Sequence, residues 1–176
     1  MINKSYSPAD IVIRPANIDR PDEADAAQIA RIYNHYVVTG GATFDNVQWP
    51  SSRVTALMEI GLPDAFYLAD LDNQILGWAS ARRFSDRHGY LHACETAIYL
   101  DPDAIGRSVA DLLQQQIEFH CREHGFHHAV AKIIASNQRS LAFHYRHGYE
   151  LVGVQKEIGF VDNQWVDVAI LQRIFD

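Results

Sequence analysis

The stretch His92–Leu113, HACETAIYLDPDAIGRSVADLL, limits the folds open to this chain more than any other. An apolar, β-favouring run carries a single carboxylate, Glu95, and stops at Asp101-Pro102. A short loop holding Gly106 then leads into a helix rich in Leu and Gln. A strand, a loop and a helix start therefore follow one another in a line. The first turn of such a helix leaves backbone N–H groups without intrahelical partners and carries the positive end of the macrodipole, so an anion such as a pyrophosphate fits there. The same arrangement also serves as a plain connection in α/β proteins.

The flanking segments supply the rest of a layered domain. Ile11 to Arg14 reads as a first strand ended by Pro15, and Asp22 opens a helix whose apolar stripe runs through Ala26, Ile29, Ala30, Ile32, Tyr33 and Tyr36 to the stop at Gly40-Gly41. A second helix is expected from Ser51 to Ile60, capped by Ser51 or Ser52. Phe66–Ala69 and Ile75–Arg83 read as a hairpin turning at Asp70–Asn73, and the helix that follows Gly106 reaches His124 before Gly125. His128–Ala135 is a buried strand and Asn137–His147 a helix closed by Gly148. The alternating runs LVGVQKEIGFV and WVDVAILQRIF form a final hairpin around Asp162-Asn163. The sum is an α+β fold with a central, mainly antiparallel sheet covered by helices. Residues 1–10 read as a flexible polar tail and 11–176 as a single domain, since 176 residues support one full core but not two ordinary ones.

A net charge of −7 argues against general affinity for nucleic acid or an anionic membrane, both of which need clustered Lys and Arg. The sequence has no apolar run of about 18 residues and no signal-like start, so a cytoplasmic location is expected. Cys94 and Cys121 form neither a disulfide framework nor a CxxC pair, and the nine histidines follow no metal-binding spacing, so no metal is expected. The loop FSDRHGY and the strand before it concentrate fixed positive charge at Arg82, Arg83 and Arg87. A solvated loop explains this, but Arg is also well shaped to hold a carboxylate or phosphinate through paired hydrogen bonds, which makes Arg87, with Tyr90, a candidate substrate-binding residue. The aromatic and polar residues of IYNHYVVTGGATFDNVQWP suit either a substrate entrance or ordinary core packing.

The order of elements, together with SNQRSLAFHYRHGYE, resembles an N-acetyltransferase of the GNAT fold, whose mixed sheet is flanked by helices on both faces. More narrowly, IYNHYVVTGGATFD, GWASARRF, HGYLHACETAIYLDP, NQRSLAFHYRHGYELVG and EIGFVDNQWVDVAILQR are similar to the phosphinothricin acetyltransferase group, over about Ile11 to Arg173. The resemblance implies acetyl transfer from acetyl-CoA to the amino group of a small amino-acid-like acceptor such as phosphinothricin, methionine sulfone or methionine sulfoximine. It also implies a homodimer and a catalytic pair at Glu95 and His144.

Glu95 suits the role of base on the acceptor ammonium, directly or through a water. His144 stands where many GNAT enzymes carry a tyrosine acid, and imidazole can give or take a proton there; which of the two is base and which acid stays open. Asn137 and Ser140 match the N-x-x-S pattern that holds the pantetheine arm, with helix capping as an additional use of Asn137. Ile98, Tyr99 and Leu100 are implied to face the thioester and pantetheine, and Gly106, Arg107, Ser108, Val109 and Ala110 to form the phosphate loop. NQWVDVAILQR is expected to close the acceptor pocket.

The chain departs from the loop pattern R/Q-x-x-G-x-G/A, reading Ile105-Gly-Arg-Ser-Val-Ala110. Serine at 108 matters if that backbone must be left-handed, while its hydroxyl offers a hydrogen bond in exchange. The altered loop also supports a different reading, a GNAT-fold protein that has lost catalysis and serves as a ligand-binding or interaction module.

Overall fold

A computed structural model describes residues 6–17, 24–161 and 163–175. Met1–Ser5, the expected helix start at Asp22 and the turn residue Asp162 lie outside these. The strands are β1 (Val12–Pro15), β2 (Ala65–Leu71), β3 (Gln74–Arg83), β4 (Ala93–Leu100), β5 (His128–Ile134), β6 (Glu150–Val161) and β7 (Gln164–Ile174). The helices are α1 (Ala24–Thr39), α2 (Ser51–Met58), α3 (Val109–Glu123) and α4 (Gln138–Arg146). The strands form one sheet in the order β1-β2-β3-β4-β5-β7-β6. Each adjacent pair is antiparallel except β4 with β5, so the sheet is mixed but mainly antiparallel.

Two apolar clusters cover its faces. On one side Val109, Leu113, Ile117 and Cys121 of α3, with Leu141 of α4, pack on Ala79, Cys94, Ala131 and Leu171. On the other, Ile29, Ile32 and Tyr33 of α1 and Val54 of α2 pack on Phe66, Leu68, Ile75 and Trp78. This is the layered arrangement that amphipathic helices and two-sided apolar strands require.

Local chemistry sets the element ends. Asp72 and Asn73 both take positive φ, 52° and 67°, so the β2–β3 hairpin closes on these two residues and the strands run closer to the turn than the sequence indicates. Helix α2 is a correction: Pro50 occupies the cap position with no side-chain cap bond, and the helix ends at Met58. Proline's fixed φ suits a helix start without a capping hydroxyl. Asn137 caps α4 as expected, its side chain accepting from the Ser140 N–H at 3.1 Å. Residues 7–10 form a capped 3₁₀ turn, in which Asp10 accepts from the Ser7 N–H at 2.7 Å. Next to it, Tyr6 packs against the core.

The feature that makes a site is where pairing stops. Strands β4 and β5 are in register only at Ala93↔His128, Cys94↔Ala129 and Glu95↔Val130, although β4 runs on to Leu100 and β5 to Ile134. The two strands diverge beyond Glu95. The β4 edge facing β5 loses its strand partner from about Thr96 onward, and a cleft opens in the sheet.

Candidate active site

The cleft is a cavity of about 500 Å³. Its walls are β4 from Glu95 to Leu100, β5 from Ala131 to Ile134, the loop and first turn from Ile105 to Asp111, and the cavity-facing side of α4. All ten residues expected at the cofactor line it: Ile98, Tyr99, Leu100, Gly106, Arg107, Ser108, Val109, Ala110, Asn137 and Ser140. Glu95 and His144 line it too. Arg87 and Tyr90 do not. They belong to the loop between β3 and β4, where Tyr90 is exposed and lies edge-on to Phe84 and the Arg87 N–H donates to Ser85 Oγ. The segment NQWVDVAILQR also contributes nothing to the cavity wall among the described residues.

The two candidate proton-transfer groups enter from opposite faces of the sheet. Side chains alternate along β4, so Glu95 shares a face with Ala97 and Tyr99, which pack toward α1 and α2, while Thr96 points toward α3. Thr96 Oγ1 lies 2.9 Å from the Tyr149 hydroxyl, and the Tyr149 ring stands edge-on to His144 with centroids 5.0 Å apart. His144 Nδ1 is 2.8 Å from the Ser140 carbonyl oxygen. A carbonyl only accepts, so Nδ1 carries the proton and Nε2 keeps its lone pair. Burial pushes the His144 pKa below its ordinary value, more strongly than the Ser140 carbonyl raises it. Burial likewise pushes the Tyr149 hydroxyl up to about 12, so it stays protonated.

Glu95 has a partner that sequence reasoning missed: Lys132 on β5 places Nζ 2.7 Å from Glu95 Oε2. The signal was there, a lone charge in the apolar run HAVAKIIA, the same pattern that singled out Glu95 in ACETAIYL. Arg139 and Arg146 also line the cavity without having been anticipated. Arg146 and His147 both donate to Asp111 in the first turn of α3, at 3.2 and 2.7 Å, tying the end of α4 to the mouth of the phosphate loop. Partial burial works against the charge on Asp111, yet these two hydrogen bonds hold its carboxyl below the usual range.

The loop itself answers the question raised by its sequence. Ser108 adopts φ 62°, in the left-handed region, and makes no side-chain cap bond to α3. The first turn remains open to an anion, and Arg107 stands beside it with its guanidinium 5.2 Å above the Tyr6 ring. At the cleft's other rim, Asn137 Nδ2 donates to the Gly41 carbonyl at 3.3 Å and Tyr36 Oη to the Leu100 carbonyl at 2.7 Å. Most of the aromatic segment at the end of α1 and in the loop after it is structural. Asp45 accepts from Tyr33 Oη and Trp49 Nε1 at 2.8 and 2.6 Å, and Tyr33, Trp49, Trp78 and Tyr99 pack together. Among the described residues, no three His, Cys, Asp or Glu side chains are arranged to hold a metal ion, and no helix is long and apolar enough to cross a membrane.

Known proteins share both sequence and shape with this chain. Residues 18–170 match the family described as the acetyltransferase (GNAT) domain. A phosphinothricin N-acetyltransferase of Alcaligenes faecalis is 32% identical over 85% of this chain and 77% of its own length. An L-methionine sulfoximine/L-methionine sulfone acetyltransferase of Salmonella typhimurium is 24% identical over 88% of this chain and 92% of its own. The crystal structure of a GNAT superfamily phosphinothricin acetyltransferase from Sinorhizobium meliloti, in complex with acetyl-CoA, superposes with a TM-score of 0.84 at 29% identity, covering 94% of this chain and 89% of that one. The chain belongs to the GNAT family and is an acetyl-CoA-dependent N-acetyltransferase.

Proposed function

We propose that the acceptor is the amino group of a small amino-acid-like molecule of the phosphinothricin, methionine sulfone or methionine sulfoximine type. The observation that carries this reading is the convergence of Glu95, His144 and the open first turn of α3 on one cavity. In the reaction the amine nitrogen attacks the thioester carbonyl carbon, a C–N bond forms, the C–S bond breaks, and the thiolate leaves with the electron pair and takes up the proton that the nitrogen sheds as it becomes an amide. The amine must first give up the proton of its ammonium form. His144 takes that proton on Nε2, directly or through a water, because its Nδ1–H is already committed to Ser140 and burial keeps the ring neutral. Glu95 draws the ammonium into the cleft by charge. Ile98, Tyr99 and Leu100, on the strand edge freed at the fork, face the thioester and pantetheine, with Asn137 and Ser140 opposite. Gly106–Ala110 hold the pyrophosphate on backbone N–H groups, and Arg87 with Tyr90 serves the outer part of the acceptor.

The reading extends to one catalytic domain over residues 11–176, working in the cytoplasm as a homodimer. Support for the dimer comes from edge strand β6 and its neighbour, where Val152, Ile158, Phe160 and Trp165 are 57–64% exposed, an apolar edge that calls for a cover. A second copy of the chain is that cover, and sedimentation of the purified protein at the dimer mass is the expected result.

The enzymatic test measures release of the CoA thiol with purified protein, acetyl-CoA and methionine sulfone, methionine sulfoximine or phosphinothricin. Turnover is expected; His144→Ala, which removes the base, lowers kcat by about 10²–10⁴-fold, and Glu95→Gln acts mainly by raising KM for the acceptor. Absence of turnover with these acceptors and a wide amine panel overturns the reading. If acetyl-CoA also fails to bind at millimolar concentration, the non-catalytic binding module takes its place.

A further inference from the structure

We infer that Lys132 is the specificity-determining residue for the carboxylate next to the acceptor's amine, so that the site selects zwitterionic amino acids over amines lacking that carboxylate. This rests on the proposed acetylation of a small amino-acid-like acceptor and adds to it the group that reads the acid end.

The inference starts from the ion pair at the fork of the sheet. Glu95 and Lys132 come from neighbouring strands just where β4 and β5 part, and both line the cavity that holds His144. Lys132 Nζ lies 2.7 Å from Glu95 Oε2 and 5.8 Å from the centre of the Phe84 ring. The two side chains are 48% and 32% exposed, so water screens the pair and it opens easily. The other cavity cations are engaged elsewhere or distant from Glu95 in the chain's layout: Arg146 donates to Asp111, Arg107 lies over Tyr6, and Arg139 also borders the hollow at Gly40–Ala42.

This pair discriminates between acceptors by charge. An ammonium that approaches Glu95 must displace Lys132. A simple amine does so by leaving the lysine without its counterion, with two cations beside one carboxylate. An amino acid carries its own anion one carbon away from its cation. Its ammonium takes Glu95 while its carboxylate takes Lys132, so one ion pair is exchanged for two charge-assisted ones and every charge is matched. Phe84 then covers one side of the lysine head. The same exchange places the amine on the Glu95 side of the cleft, within the cavity His144 enters from the other face.

The test compares methionine sulfone with its methyl ester, which keeps the amine and lacks the carboxylate, on wild type, Lys132→Met and Lys132→Arg. Wild type is expected to prefer the free acid. Lys132→Met should lower kcat/KM for the acid by about ten- to hundred-fold, chiefly through KM, the effect of losing one hydrogen bond to a charged group. The ester should not lose and should gain modestly, because Lys132→Met removes the cation that its ammonium must displace from Glu95, and Lys132→Arg should restore much of the preference for the acid. Equal losses for acid and ester overturn the proposal, because Lys132 would then act only through Glu95. A wild type that does not distinguish the two substrates overturns it as well. Failure of wild type to acetylate either one points instead to failure of the functional reading on which the proposal rests.

Discussion

Replacing Ser108 by glycine should stabilise the protein, although it deletes a side chain at the mouth of the site. Ser108 holds φ 62° and ψ 5°, is exposed, and makes no cap bond to α3. An L-residue in that region costs roughly 1–2 kcal/mol through the clash of Cβ with the backbone. Glycine removes the clash but adds freedom to the unfolded chain, which takes back roughly 0.4–1 kcal/mol. No capping bond is lost with the hydroxyl. The balance is a gain of about 0.5–1 kcal/mol, or about 1–4 °C in Tm for a chain of this length. Scanning calorimetry without cofactor measures it.

Ser108→Ala separates the two things serine does there. Alanine keeps the left-handed strain and removes only the hydroxyl, so its Tm should stay near wild type. Any weakening of acetyl-CoA binding in Ser108→Ala, read by calorimetric titration, then belongs to the hydroxyl. Since a neutral hydrogen bond is worth about 0.5–1.5 kcal/mol, that weakening is at most about tenfold. A Tm for Ser108→Gly below that of wild type would refute the reasoning, because the left-handed turn could then not be a burden on the fold.

Two further perturbations probe the rest of the site. With the His144 pKa held below its ordinary 6.5 by burial, Nε2 is mostly free at neutral pH, so the acid limb of kcat/KM, on which the ring gains a proton, should have its midpoint below pH 6.5; a profile over pH 5–8 checks this, and an acid limb centred above 6.5 contradicts the assignment of His144 as base. Gly159 lies under the Phe44 ring, where a Cβ would come within 2.2 Å of Cε1, so Gly159→Ala should push the loop of residues 40–50 off β6, cost roughly 1–3 kcal/mol by denaturant titration, and raise KM as the Gly41–Asn137 contact loosens.

The pattern of what the sequence revealed follows from the range of the forces involved. Element types are written locally. The alternation of β6 and β7, the hairpin of β2 and β3, the stripe of α1, and the breaks at Gly40, Gly125 and Gly148 all appear at the expected places. The cap of α2 fell to Pro50 because proline competes with serine for a helix start through backbone geometry alone. Arg87 and Tyr90 carry chemistry suited to an anion, but the position of a loop relative to a cavity is a tertiary matter: neither lines the wall, and Tyr90 stands behind Phe84, whose ring centre is 5.8 Å from Lys132 Nζ. Lys132 shows the converse. A charge alone in an apolar strand must face either solvent or a cleft, and the choice depends on whether the next strand covers it.

That choice is made at the fork. Because pairing of β4 with β5 ends at Glu95↔Val130, the next residues on each strand lose the neighbour that would have buried them. One step along β4 also reverses the face, so Glu95 and Thr96 look to opposite sides of the sheet at the point where it opens. Glu95 meets Lys132 on one side, while on the other Thr96 holds the hydroxyl of Tyr149, whose ring stands edge-on to His144. Carboxylate and imidazole thus reach one cavity without competing for space. A one-residue shift in the β4–β5 register would turn Glu95 toward the packed α3 face and Thr96 toward Lys132, burying a carboxylate among Leu113 and Ile117. Burying that charge would be far more costly than leaving a half-exposed ion pair at the fork, so the preference that fixes the register also keeps the reacting groups apart and facing each other across the cleft.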